Sequence, residues 1–145
     1  MGTIFSYIEK YGNRSYTIEK FNDIDNLVYS ELAYIDFKDI VSEGRDTINL
    51  QDAANLFFRT YSYKEYAKFG IAFRDSYKLL MAIKDKPRYK NNLLYNYIYK
   101  GDRESQFSAM CIKVKGKFTY VTFEGTDHLL SGWKEDFALS YEFPV

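Results

Sequence analysis

The chain has 145 residues, the length of one domain, and a unit of that size buries roughly 70% of the surface its unfolded chain exposes. Its 20 basic and 20 acidic residues cancel and are mixed along the sequence, which excludes the basic stripe that draws proteins to nucleic-acid phosphates. The lone cysteine, Cys111, excludes an internal disulfide and fits a reducing, cytoplasmic setting, and no window reaches the ~18 apolar residues of a membrane span.

Residues 1–85 read as helices, because apolar side chains recur at helical intervals. Thr3 is placed to cap a short helix carrying Ile4, Phe5 and Ile8, ended by Gly12-Asn13. Asn22 caps a second. Asp23 and Asp25 fall in its first turn, where carboxylates favour the positive end of the helix, and Ile24, Leu27, Val28, Leu32 and Ile35 follow on one face. Asn49 with Asp52 starts a third, with Leu50, Ala53, Ala54, Phe57 and Phe58 as its core face. An aromatic connection through Tyr61, Tyr63, Tyr66 and Phe69 leads past Gly70 to a fourth. That helix groups Phe73, Tyr77, Leu80 and Met81 and is closed by Pro87, which removes a donor and keeps Lys86 extended.

From Leu93 the period becomes two. Leu94 to Lys100 alternates Tyr95, Tyr97 and Tyr99 against Leu94, Asn96 and Ile98. After the Gly101-Asp102 turn, Phe107, Ala109 and Cys111 alternate with Met110, Ile112 and Val114. Lys115-Gly116 makes a hairpin into Phe118 to Glu124, a strand apolar on both faces through Phe118, Tyr120, Val121 and Phe123. No repeat or linker divides the chain, so residues 1–145 read as a single unit. The class is α+β, a helical first half followed by an antiparallel three-stranded meander.

Gly125-Thr126-Asp127 ends the last strand. A glycine there lets the backbone turn sharply, and the next residue can offer an amide and a hydroxyl to an oxyanion, the donors acyl transfer needs. On spacing alone, the commoner reading is an ordinary strand-to-helix loop in which Thr126 and Asp127 cap local N–H groups. Cys111 and His128 are the one thiol and the one imidazole available for a dyad, but Cys111 sits in an apolar strand pattern and reads as a small core residue. Asp23-x-Asp25 lacks the glycine and terminal glutamate of a calcium loop, and one histidine with one cysteine makes no zinc set, so neither metal nor cofactor is expected. Tyr95, Tyr97 and Tyr99 read as packing, and Lys113, Lys115 and Lys117 as solubility. No basic amphipathic helix is present to bring the chain to anionic headgroups.

The stretch Phe123 to Phe137, FEGTDHLLSGWKEDF, resembles the Phe-Arg-Gly-Thr-Asp … Gly-Trp-Lys-Glu-Asp-Phe motif of an uncharacterised bacterial family of lipase-like α/β-hydrolases, distantly similar to the class-three lipases. The likeness extends to Pro87-Arg88-Tyr89, to Glu104 through Ala109 and to Asn22 through Phe37, and so over essentially the whole chain. It implies that the meander begins an α/β-hydrolase sheet, with Thr126 and Asp127 as oxyanion-hole residues and Gly125, Trp133 and Asp136 supporting their loop. An acyl-ester or lipid-like substrate would belong to the complete family. Glu124 stands where that family has arginine, opposing a developing anion unless it is paired or turned away. None of the ten serines has the Gly-x-Ser-x-Gly frame of a nucleophile elbow.

The resulting expectation is the N-terminal, oxyanion-loop-bearing part of a serine hydrolase, inactive as this chain. Its competitor is a non-catalytic interaction module that binds a protein partner, or itself, through an uncovered sheet edge.

Overall fold

Short polar side chains fix where three of the helices begin, in a computed structural model that describes residues 2–101, 106–114 and 116–125. Helix α1 spans Gly2–Tyr11 and α2 spans Asp23–Glu31. Asn22 caps α2 by accepting from the amides of Ile24 (2.9 Å) and Asp25 (3.2 Å), while the Asp25 carboxylate accepts from the Asn22 amide (3.1 Å). This reciprocal box satisfies donors that the first turn would leave without partners. A 3₁₀ turn, Leu32–Tyr34, continues α2. Strand β1 (Ile48–Asn49) runs directly into α3 (Leu50–Thr60), capped by Asn49 onto the Asp52 amide at 2.8 Å.

Helix α4 (Tyr63–Ala67) occupies what the sequence presents as an aromatic connection, with Ser62 accepting from the Glu65 amide. Five residues are too few for apolar periodicity to register, so the cap was its only sequence signal. Helix α5 spans Ile71–Ile83. Two side chains assigned to core faces lie outward: Leu27 is 40% and Met81 47% exposed. On α2 the buried stripe instead runs through Val28, Tyr29 and Leu32, one position beyond Leu27 on the wheel.

Strands β2 (Leu93–Gly101), β3 (Gln106–Val114) and β4 (Phe118–Glu124) form the meander, and β1 adds a fourth strand, in the order β1-β2-β3-β4. Every pairing among the described residues is antiparallel. The α+β class therefore holds, with a four-stranded sheet in place of the expected three-stranded one. A two-residue strand carries no alternation to read, which is why β1 escaped the pattern. Gly116, at φ +75°, supplies the left-handed residue of the β3–β4 turn, closed by Lys117 N–H onto Val114 O at 3.0 Å.

The helices pack on one face of the sheet. Phe37, Phe57, Tyr29 and Leu80 meet Leu94, Tyr97, Met110 and Ile112 in the main core. Phe107, Ala109, Cys111 and Val121 form a second, smaller cluster, joined by the half-buried Tyr95 and Ile98. The tyrosine stripe of β2 is split between the two clusters. Between Tyr95 and Ile98 the register slips by one residue, with Asn96 at φ +52°, so Tyr97 enters the main core while Tyr95 joins the opposite cluster. A bulge of this kind redirects every side chain beyond it.

Candidate functional site

At the end of β4, Ser108 pairs with Glu124, and Gly125 then turns at φ +140°. A Cβ on Gly125 would stand 2.7 Å from Phe107 Cδ2 and 3.0 Å from Gln106 O. Conformation and space both demand glycine here. Gly125→Ala is thus expected to destabilise the protein by about 1–3 kcal/mol, the cost of a strained backbone combined with overpacking. A melting temperature equal to wild type would show that neither constraint operates. Beside this turn the Tyr34 phenol is pushed up, first by burial, then by the Glu124 and Glu31 carboxylates. No ion pair among the described residues joins Glu124 to a cation.

Of the residues assigned to an oxyanion loop, only Gly125 falls within the described structure; Thr126, Asp127, Trp133 and Asp136 lie outside the described residues, as does His128. Cys111 is buried in β3, where Asn96 Nδ2 approaches its Sγ at 3.6 Å.

The most elaborate polar arrangement was not read from the sequence as a unit. Arg88 and Asp25 form an ion pair whose side chains are both fully buried. Arg88 Nε donates to Asp25 Oδ1 (2.9 Å) and Nη2 to Oδ2 (2.5 Å), a bidentate fork. The remaining guanidinium hydrogens go to the carbonyls of Arg14 (3.1 Å), Glu19 (2.8 Å) and Lys20 (3.1 Å). Tyr16 lies under the guanidinium at 3.9 Å, and Tyr89 donates to Asp25 Oδ1 at 2.6 Å. Burial opposes the charge on Arg88, yet the carboxylate of Asp25 prevails and holds its pKa above the ordinary value. Burial first, and then Asp25, pushes the Tyr89 phenol up.

Every donor of Arg88 is used, so the network has no valence left for a ligand. What it does is mechanical: it pins the loop between α1 and α2 to the segment that feeds β2. Asp25 is also the third residue of the α2 capping box, and that local role accounts for a carboxylate at this place without invoking Arg88. The sequence therefore gave no cue to the pairing.

Among the described residues, a groove of about 480 Å³ is lined by residues 38–43 with Tyr97 and Tyr99. One wall is the loop that covers the outer edge of β2. Asn96 N–H donates to Gly44 O (2.8 Å) and Tyr97 N–H to Ser42 O (2.9 Å), extending the cover that β1 begins at Leu93 and Leu94. The opposite edge of the sheet, β4, has no strand on its outer side among the described residues.

A family model described as Mbeg1-like matches residues 83–145, less than half of the chain. Neither the comparison with curated proteins nor that with solved structures gives a significant match. The matched region contains the Phe123 to Phe137 stretch, and its family is not a lipase-like α/β-hydrolase family. The resemblance drawn from those residues is thereby corrected, along with the hydrolase and lipase character it carried. The physical reason is that a glycine, a hydroxyl residue and a carboxylate after a buried strand also serve an ordinary strand-to-helix turn. Among the described residues no helix is long and apolar enough to cross a membrane.

Proposed function

We propose that this chain is a non-catalytic protein-interaction module that pairs through the outer edge of β4 with the same strand of a second copy. The observation that carries the reading is the unequal protection of the two sheet edges. The β2 edge is covered by β1 and by backbone bonds from residues 42–44. Strand β4 is bonded to β3 alone among the described residues. Its seven residues, FTYVTFE, contain no proline, lysine or arginine, the devices by which edge strands discourage pairing.

The sequence of β4 also suits a twofold partner. Antiparallel pairing centred on Val121 sets each Glu124 opposite a Phe118, keeping the two carboxylates at opposite ends of the ladder. Phe123, 38% exposed, would gain cover there. A reducing, cytoplasmic setting agrees with the buried thiol of Cys111.

Sedimentation equilibrium is expected to give a dimer for the wild-type chain and a monomer for Thr119→Lys/Phe123→Lys, which places like charges along the paired edge. A monomeric wild type at every concentration, or a variant that dimerises equally, would overturn the reading. Stoichiometric labelling of a serine by a fluorophosphonate would overturn its non-catalytic part.

A further inference from the structure

The connection between α4 and α5 carries a solvent-exposed, contiguous apolar tip. Phe69 is 62% and Ile71 68% exposed, with Gly70 between them. The Phe69 ring rests against Tyr66 (5.7 Å) and Phe73 (6.0 Å), Phe73 in turn meets Tyr34 at 5.8 Å, and Ile71 is the first residue of α5. Tyr66 is itself fixed, accepting from the Asp36 amide at 2.9 Å and donating to Tyr34 O. The tip therefore stands on an aromatic base tied by hydrogen bonds to residues 34–36.

Cations flank it in two pairs at helical spacing, Lys64 with Lys68 and Arg74 with Lys78. None of the four is in an ion pair among the described residues. Residues 63–78 hold two carboxylates against these four cations, and one of them, Glu65, already accepts from the Ser62 hydroxyl. Lys78 stands over the Tyr63 ring at 5.5 Å, so the positive rim is continuous with an amphipathic aromatic.

We propose that this hairpin tip docks the protein on an anionic lipid surface, Phe69 and Ile71 entering the boundary between headgroups and acyl chains while Lys64, Lys68, Arg74 and Lys78 meet the anionic headgroups. Apolar side chains and cations together make such an interfacial anchor, and neither half suffices alone. A nucleic-acid strand would match the charge but not Ile71, which offers no π face for a base to stack on. Because the tip is already ordered, docking loses little conformational entropy. This inference is independent of the β4 edge, which lies on a different element.

Co-sedimentation of the full chain with vesicles tests it. Binding is expected to vesicles of phosphatidylserine mixed with phosphatidylcholine and not to phosphatidylcholine alone, and to weaken in 1 M salt, where charges are screened beyond about 3 Å. Phe69→Ser/Ile71→Ser is expected to lower the partition coefficient about tenfold or more, and each of Lys64→Gln and Lys68→Gln about fivefold. These side chains are exposed, and unchanged circular dichroism of each variant certifies its fold. A wild type that stays in the supernatant, binds both vesicle types equally, or binds an oligonucleotide or another protein through this tip but not vesicles would overturn the proposal, as would variants that bind like wild type.

Discussion

Replacing Arg88 by methionine is expected to lower the unfolding free energy by about 3–5 kcal/mol. The effect is large because the substitution leaves Asp25 as a buried carboxylate without its counter-charge, and it also orphans the carbonyls of Arg14, Glu19 and Lys20. For a domain of this size the loss corresponds to a fall in melting temperature of roughly 10–20 °C. Arg88→Met/Asp25→Asn separates the two contributions, because the neutral amide oxygen can still accept from the Asn22 amide or the Tyr89 hydroxyl. With both charges gone the desolvation penalty disappears, so the double variant is expected to be more stable than Arg88→Met alone. A double variant no better than the single one would mean that the guanidinium acts chiefly through the loop carbonyls. Thermal melts of the three proteins decide between these outcomes.

Alkaline solution is expected to unfold the protein cooperatively before its buried tyrosines ionise. Tyr29, Tyr66, Tyr89 and Tyr97 are buried, and burial is the foremost cause holding each phenol above its usual range. Tyr61 is pushed up to about 12, chiefly by its hydrogen bond to Asp36 and then by burial. A phenol whose pKa is higher in the folded chain than in the unfolded one contributes stability below the unfolded value of about 10, and loses it as the pH climbs toward the folded value. Each such buried group loses ~1.4 kcal/mol per pH unit in that window, so four together remove on the order of 5 kcal/mol by about pH 11. A domain with 5–15 kcal/mol to spare then lies near its midpoint. Phenolate absorbance and far-ultraviolet circular dichroism, followed together against pH, should change in one step. Phenolate absorbance reaching its full value near pH 10 with the dichroism intact would contradict the packing described here.

The parts of the fold that sequence revealed are those where one local rule acts alone. Asn22 and Asn49 announce helix starts because a capping side chain needs nothing beyond three residues of its own helix. Phe107, Ala109 and Cys111 alternate cleanly against Met110, Ile112 and Val114 because β3 is central and both of its faces are covered. The failures occur where distant elements decide. Asn96 leaves the pleat in company with the 42–44 loop, which takes the amides of Asn96 and Tyr97, and nothing between Leu94 and Lys100 foretells a loop fifty residues upstream. Leu27 and Met81 are apolar residues at the margins of their helical faces, and only the position of the sheet tells which margin is wet. The candidate site was legible at Gly125 alone, since a glycine after a strand is a conformational statement, whereas the wording of the following residues led to a lipase-like resemblance that the Mbeg1-like match over residues 83–145 overturns.

The kink at Asn96 makes β2 intolerant of changes in length. Upstream of it the side chains are indexed by β1, through Ile48 opposite Leu94, and downstream by β3, through Ala109 opposite Ile98. One residue added or removed between Tyr95 and Ile98 would exchange Tyr97 with its neighbour and turn a core phenol toward the opposite cluster, without touching any contact upstream. Genetic drift in this protein should therefore replace residues across the 95–98 stretch more readily than it inserts or deletes them.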